Sequence, residues 1–206
     1  MLIDDRRMSQ KLAINFLTDL SSETVQKISS LVKIANDTID KYFGIVTTFD
    51  ILICRGSWEM EVQVISRRNG TAEGSIYSDT GFVGMTDYRL QEIVIRCDVA
   101  KYGHYLHELI HGIINRNHPH QLREGMAWYF TLKLTENYTY VRPTCPNWVY
   151  EMYVCPTKRL AEIVGDDFLK DFTLGKATLD HESLPSDVQD LFLPEEIFYS
   201  DKRSRK

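Results

Sequence analysis

The sequence predicts an α+β fold, in which an N-terminal mixed twisted sheet with its helices precedes a mainly helical C-terminal lobe. Two observations predict this fold: short strand-like runs are confined to the first half of the chain, and helical patterns dominate the second half. The chain has 206 residues, of which 43% are hydrophobic, which is enough to form a core. We therefore expect a single domain over residues 1–206, with an N-terminal lobe of about 1–117 and a C-terminal lobe of about 118–206.

The first half contains one long predicted helix and four predicted strands. Residues 22–42 carry apolar side chains at helical spacing, Ser22 can cap the start, and Gly44 can end the helix. Strands are expected near residues 49–54, 60–66, 81–85 and 92–96. The next predicted helix follows the last of these strands directly.

Helices are expected to dominate the second half, over residues 99–116 and 122–135 and in several short pieces after residue 146. Pro119 cannot continue a helix interior, so the first of these helices should end around Asn117. Gly125 and Ala127 are small and should let the second helix approach the first closely. Residues 184–199 are apolar enough to form a lid over a cleft, with a docking tail as the simpler alternative.

The most informative motif of the chain is H-E-x-x-H, formed by His107, Glu108 and His111 within the first of these helices. Residues four apart on a helix lie almost above one another, so both imidazoles can bind the same metal ion. Glu108 lies about 100° further round the helix, beside the ion, where a general base for a water molecule must stand. An apolar stripe faces the core and leaves both histidines on its flank, formed by Leu106, Leu109, Ile110 and Ile113.

A catalytic zinc site usually takes three protein ligands and keeps a fourth position for water. The segment Leu122-Arg123-Glu124-Gly125-Met126-Ala127-Trp128-Tyr129 is predicted to begin a second helix, and Glu124 on that helix can complete the ligand set. His118 and His120 are the alternatives. Both are expected in the connecting loop, as solvated side chains, as ligands or in contact with substrate.

These two segments together resemble the gluzincin metallopeptidases, whose pattern is H-E-x-x-H followed by W-L-x-E-G-x-A on a second helix. The resemblance covers residues 104–130 and implies a zincin-like fold with one Zn²⁺ per chain. It implies that His107, His111 and Glu124 are the metal ligands and that Glu108 is the catalytic base.

The chain departs from the family pattern at two places. The connection over residues 112–123 is shorter than in the large aminopeptidase members. Trp128 stands where thermolysin-like members carry an aspartate that orients a ligand histidine, so another group must hold His107 or His111.

Two related patterns fit less well. The metzincin motif H-E-x-x-H-x-x-G-x-x-H fails, because Ile114 and Asn117 occupy its glycine and third histidine positions. The segment Val83–Asp87 resembles only loosely the G-x-M-E-N strand of gluzincin aminopeptidases. It lacks the glutamate that binds a free amino terminus, which argues against aminopeptidase activity.

The sequence therefore predicts a zinc metallopeptidase in which Glu108 takes a proton from water and passes it to the leaving amine. An edge strand near 81–86 or 92–96 could align a peptide or protein substrate by backbone pairing. The candidates for stabilising the oxyanion are Tyr150, Tyr153 and His118. The alternatives are a regulatory protease of the ImmA type that cleaves a repressor, an inactive zincin that binds a partner, and hydrolysis of a non-peptide bond.

Composition limits the remaining classes. The net charge is −5, the sequence pI is about 5.7, and no long basic stripe is present, so we expect no nucleic-acid partner. No apolar stretch approaches the ~20 residues of a membrane span, and the N-terminus has no signal-peptide core, so we expect a cytoplasmic protein. The four cysteines lack C-x-x-C spacing and are expected to be thiols, with a Cys145–Cys155 disulfide as the alternative after export. The sequence leaves the oligomeric state open.

Overall fold

The computed structural model describes residues 12–56, 83–136 and 147–194, which form an α+β fold around a mixed sheet. The strands of this sheet are β1 (Ile14–Phe16), β2 (Asp50–Cys54), β3 (Gly84–Asp87) and β4 (Glu92–Arg96), in the order β1-β2-β4-β3. β1, β2 and β4 are parallel, and β3 is antiparallel to β4. The predicted strand over residues 60–66 lies outside the described residues.

The long helix α1 (Ser22–Phe43) connects β1 to β2, because two parallel strands need a crossover between them. Its N-cap is Ser21 rather than the predicted Ser22, and the Ser21 hydroxyl accepts a hydrogen bond from the Thr24 N–H. Gly44 ends the helix as predicted, with φ at 72° in the left-handed region. The described helices are all too short or too polar to cross a membrane.

Alternation along β2 and β4 buries the sheet on both faces. One set of side chains joins α1 and the later helices in the main core, namely Ile51, Ile53, Ile93 and Ile95. The intervening side chains form a separate buried cluster with Met85, namely Leu52, Cys54 and Val94. The central strands are therefore fixed from both sides, which gives the elements at the sheet edge a rigid base.

β3 and β4 form a hairpin whose turn places residues 88–91 beside the later helices. The Asp87 carboxylate accepts hydrogen bonds from the N–H groups of Arg89 and Leu90, and Gln91 adopts a positive φ of 55°. β3 lies at the edge of the described sheet, whereas β4 pairs on both sides. Of the two predicted candidates for an edge strand, the structure therefore selects β3.

Two helices carry the H-E-x-x-H and E-G-x-A segments: α2 (Tyr102–His111) and α3 (His120–Leu134). The prediction that α2 continues to about Asn117 is wrong, because tertiary contacts end it at His111. The Asn115 N–H donates to the Thr173 carbonyl at 2.8 Å, which draws the chain away from the helix axis. α3 begins directly after Pro119, which is its N-cap.

The C-terminal part of the chain is helical, as predicted. It contains α4 (Asn147–Val149), a π-helical segment (Tyr150–Val154), α5 (Cys155–Val164), α6 (Asp166–Thr173), a 3₁₀ turn (His181–Ser183), α7 (Ser186–Gln189) and a second 3₁₀ turn (Asp190–Phe192).

The end of the described chain docks into the main core through the buried side chains of Leu184, Val188 and Leu191. This arrangement agrees with the docking-tail alternative for residues 184–194, whereas residues 195–199 lie outside the described part. Cys155 is an exposed free thiol, and its predicted alternative partner Cys145 also lies outside that part.

Gly125 performs a different role from the one that the sequence predicts. A Cβ atom at this position would lie 2.2 Å from Thr157 Oγ1 and 3.0 Å from the Tyr153 carbonyl oxygen. The missing side chain therefore lets α3 approach the π-helical segment and α5, and the prediction that it serves the contact with α2 is wrong.

We expect Gly125→Ala to lower the free energy of unfolding by about 1–3 kcal/mol, because the added methyl group overpacks this contact. At an unconstrained helix position the same change is favourable by roughly 1 kcal/mol. Urea denaturation of the metal-free protein measures the effect. On a Thr157→Ala background the loss should shrink, since the nearest atom is gone; an equal loss on both backgrounds would contradict the contact.

Candidate metal centre

Three side chains converge between α2 and α3. His107 and His111 lie one turn apart on α2, and their Nε2 atoms are 3.2 Å apart. Glu124 on α3 places Oε1 3.2 Å from His111 Nε2 and Oε2 3.8 Å from His107 Nε2. The structure thus brings the three predicted ligands together, with their ligand atoms all within 4.8 Å of one another.

The spacing of these atoms fits a zinc ion. A tetrahedral Zn²⁺ with ligand distances of about 2.0–2.1 Å holds its ligand atoms roughly 3.4 Å apart. The three separations of 3.2, 3.2 and 3.8 Å bracket that value. Two imidazoles and one carboxylate are also a donor set of catalytic zinc sites that keep one position open for water. The site is therefore a possible metal centre for which the residues present suit Zn²⁺.

The apolar pattern of α2 explains why the histidines face α3. Leu106, Leu109 and Ile110 are fully buried in the main core, so the helix has one fixed orientation. That orientation leaves His107 and His111 on the flank next to α3, as the sequence predicts. Both imidazoles are nevertheless almost completely buried, which removes them from bulk water.

The charges of the three groups depend on one another. Burial, together with the neighbouring His111, lowers the pKa of His107 to about 3. Burial alone would lower the pKa of His111 and raise that of Glu124. The ion pair between them does the opposite, since it raises the pKa of His111 and holds that of Glu124 at about 2. In the metal-free protein, His107 is therefore neutral, and the ionised Glu124 favours the protonated form of His111.

Glu108 lies beside this cluster and is held by the edge strand. The Thr86 hydroxyl donates to Glu108 Oε2 at 3.0 Å. Burial raises the pKa of Glu108 to about 7, against the lowering effects of His111 and the Thr86 hydroxyl. A carboxyl group with this pKa can both accept and release a proton near neutral pH, as a general base in hydrolysis must.

Gly84 makes room for the Glu108 carboxyl group. A Cβ atom at this position would lie 2.6 Å from both Cγ and Oε1 of Glu108, well inside van der Waals contact. The glycine therefore allows the edge strand to lie directly against the carboxylate.

Tyr88 is the functional contact that the sequence interpretation missed. Its hydroxyl lies 3.1 Å from His111 Nδ1, on the far side of the ring from the ligand cluster. Burial raises the pKa of Tyr88 above its ordinary value, so the phenol is neutral. The Arg123 guanidinium lies over the Tyr88 ring, 4.6 Å from its centroid.

The sequence contains a pattern that could have predicted the contacts of β3 with α2, namely alternation with a period of two. Gly84, Thr86 and Tyr88 alternate along β3 and into its turn, so their Cβ positions face the same side of the sheet. Thr86 and Tyr88 contact Glu108 and His111, for which the H-E-x-x-H motif predicts the roles of base and ligand.

The environment of His107 differs from that of His111. The Trp128 ring packs against the His107 ring, with 4.5 Å between their centroids. His107 Nδ1 is buried and has no hydrogen-bond partner among the residues that the structure describes. Trp128 thus makes a ring contact with His107 at the position where the thermolysin-like pattern has an orienting aspartate.

The remaining sequence candidates lie outside the ligand cluster. The His118 ring packs against Phe172, and its Nε2 donates to the Phe172 carbonyl at 2.8 Å, which gives it a structural role. His120 is the first residue of α3. Tyr153 is buried against Trp128, and Tyr150 is 40% exposed, so a role in stabilising an oxyanion stays a prediction for both.

We expect Zn²⁺ binding to release a proton, because the raised pKa of His111 favours the protonated imidazole in the metal-free protein and that proton must leave for His111 to bind the ion. Its pKa is raised, so affinity should fall as the pH is lowered through and below that raised pKa. Calorimetric titration in two buffers of different ionisation enthalpy measures the released proton. Glu124→Gln should release less, since the carboxylate that raises the pKa of His111 is gone. Equal binding heats in both buffers for the wild type would contradict this charge assignment.

Comparison with protein-family models, curated proteins and solved structures finds no match for this chain. The likeness to gluzincins thus rests on the motif residues, and the case for a function rests on the geometry of the ligand cluster and of Glu108.

Proposed function

We propose that the protein is a zinc-dependent metallopeptidase with a zincin-like fold, in which His107, His111 and Glu124 bind one Zn²⁺ and Glu108 is the general base. One observation carries the proposal. Ligand atoms from two separate helices lie at the mutual distances that a tetrahedral zinc ion requires. Two of these groups, His107 and His111, are buried and Glu124 is partly buried, so bringing them together costs free energy of desolvation that a bound ion would offset.

When bound, Zn²⁺ supplies Lewis acidity to a carbonyl oxygen and to a water molecule. Glu108 would act as the general base, which takes a proton from the attacking water and returns it to the departing amine nitrogen as the C–N bond breaks. The Thr86 hydroxyl donates to Oε2 and so fixes the direction of the carboxylate. The close packing of Gly84 against the same carboxylate restricts it further.

β3 offers backbone groups that can align an extended peptide beside Glu108. The Arg96 N–H donates to the Val83 carbonyl, so these two residues are a hydrogen-bonded pair at the start of the β3–β4 ladder. Hydrogen-bonded and non-hydrogen-bonded pairs alternate along the ladder. The N–H and C=O groups of Met85 and Asp87 therefore face β4, whereas those of Gly84 and Thr86 face the outer edge. A substrate strand that pairs with Gly84 and Thr86 would run past the base, which supports a peptide or protein substrate.

The alternative functions differ in their substrate or in the need for Glu108. A regulatory protease of the ImmA type uses the same chemistry on a repressor protein. A zincin that only binds a partner does not need the base, yet Glu108 is intact, buried and hydrogen-bonded. Hydrolysis of a non-peptide bond would use the same four residues. The substrate therefore distinguishes the hydrolytic functions from one another, and the need for Glu108 distinguishes them from a binding module.

The proposal is tested by metal content and peptidase activity in three proteins: the wild type, Glu124→Ala and Glu108→Gln. We expect one zinc per chain after dialysis of the wild type and Glu108→Gln, and loss of zinc from Glu124→Ala, because that change removes one of three ligands. With an unstructured peptide mixture as substrate and mass spectrometry as readout, Glu108→Gln should be about 100- to 10,000-fold slower than the wild type.

The other outcomes separate the alternatives. Zinc in all three proteins would remove Glu124 from the ligand set. Zinc without cleavage of peptides or folded proteins would favour the binding module. Wild-type cleavage that survives a strong zinc chelator, or that Glu108→Gln retains, would overturn the proposed chemistry.

We expect Thr86→Val to shift the acidic limb of the pH–rate profile to higher pH. The hydroxyl donates to the ionised carboxylate, so its removal raises the pKa of Glu108 and protonates more of the base at a given pH. The profile of kcat/KM measures the shift. Thr38→Val is the matched control, because its hydroxyl bonds to Tyr102 at the start of α2, away from the base. Identical limbs in the wild type and Thr86→Val would show that the hydroxyl does not act on Glu108.

A further inference from the structure

The two ligand imidazoles need their other nitrogens to be in a defined state. A histidine that binds a metal through Nε2 carries its proton on Nδ1, and an acceptor for that proton fixes both the tautomer and the ring orientation. Metal sites usually supply a carboxylate, a backbone carbonyl or water for this purpose. For His111, the described acceptor is the hydroxyl oxygen of Tyr88, 3.1 Å from Nδ1.

We propose that Tyr88 is the positioning residue of the metal centre: its phenol oxygen accepts the Nδ1 proton of His111 and orients the ring for binding through Nε2. The assignment rests on the proposed zinc site and extends it. Tyr88 serves His111 only, whereas the other ligand histidine, His107, packs against Trp128.

Tyr88 is itself held on several sides, as a positioning residue must be. Asp87 fixes the turn that carries it, and the Phe49 ring meets its ring edge-on, with 6.0 Å between the centroids. The Arg123 guanidinium lies over the ring and also donates to the carbonyls of Arg116 and His118 in the α2–α3 connection. The hydroxyl is therefore fixed by the hairpin and by the connection between the two ligand-bearing helices.

A tyrosine differs from a carboxylate in the charge that it brings. A phenol is neutral at neutral pH, whereas a carboxylate acceptor makes the ligand imidazole more basic. With Tyr88 as acceptor, Glu124 supplies the full negative charge within the ligand set. The orientation of His111 is then secured without a further buried carboxylate beside Glu108 and Glu124.

The test is the Zn²⁺ affinity of the wild type and Tyr88→Phe, measured by competition with a chromogenic chelator. The phenylalanine retains the ring contacts with Phe49 and Arg123 and removes only the acceptor. We expect affinity to fall roughly 10- to 100-fold. Tyr102→Phe is the matched control. It removes a tyrosine hydroxyl from α2, the helix that carries His111, but this hydroxyl bonds to Thr38, so the Zn²⁺ affinity should be unchanged.

A spectroscopic measurement distinguishes a change in the orientation of the His111 ring from a general loss of stability of the fold. In ¹⁵N-labelled wild type with zinc bound, the His111 Nδ1 proton should give a slowly exchanging signal, and Tyr88→Phe should lose that protection. Thermal unfolding of the metal-free variants checks that the fold is kept. Equal zinc affinity in Tyr88→Phe together with a protected Nδ1 proton would overturn the assignment of Tyr88 alone. A wild type that binds no Zn²⁺ would overturn the metal centre, and this assignment with it.

Discussion

The burial of His107, His111 and Glu124 against one another is the constraint on which the centre depends. The two imidazoles lose nearly all of their hydration between α2 and α3, and the partly buried Glu124 carboxylate is the charged partner of His111. His107 is neutral chiefly because burial lowers its pKa, and also because a protonated His111 with its Nε2 atom 3.2 Å away would repel a second charge. The core-facing stripe of α2 and the fixed start of α3 hold this arrangement in place even without an ion.

The edge hairpin supplies the second half of the centre. β3 is antiparallel to β4 and brings Thr86 against Glu108 and Tyr88 against His111, while Gly84 lets the strand approach. The central strands β2 and β4 are buried on both faces, so the hairpin extends from a rigid base. Preorganisation of this kind keeps a carboxylate and a ligand in place at little further cost when a substrate arrives.

Local patterns predicted much of this structure. The helical period of α2 and the spacing of H-E-x-x-H placed three side chains, and the position of Glu124 on a second helix placed a fourth. The α+β class followed from the distribution of strands and helices. Features that depend on tertiary contacts were missed: the end of α2 at His111 follows from a bond to Thr173, and Gly125 faces Thr157 rather than α2. Tyr88 was missed because a hairpin turn, not spacing along one helix, brings it to His111.

Side chains alternate along β3, so the contacts of Thr86 with Glu108 and of Tyr88 with His111 both depend on the pairing register of one hairpin. A slip of one residue against β4 would turn Met85 and Asp87 towards α2 in place of Gly84, Thr86 and Tyr88. The base would lose its donor and His111 its acceptor in the same event, and a methionine side chain would fall where only a glycine fits. The length of the turn after Asp87, with its positive φ at Gln91, therefore determines the contacts to Glu108 and His111 as well as the fold. An insertion or deletion in that turn would impair the base and the ligand together, although it would alter neither residue.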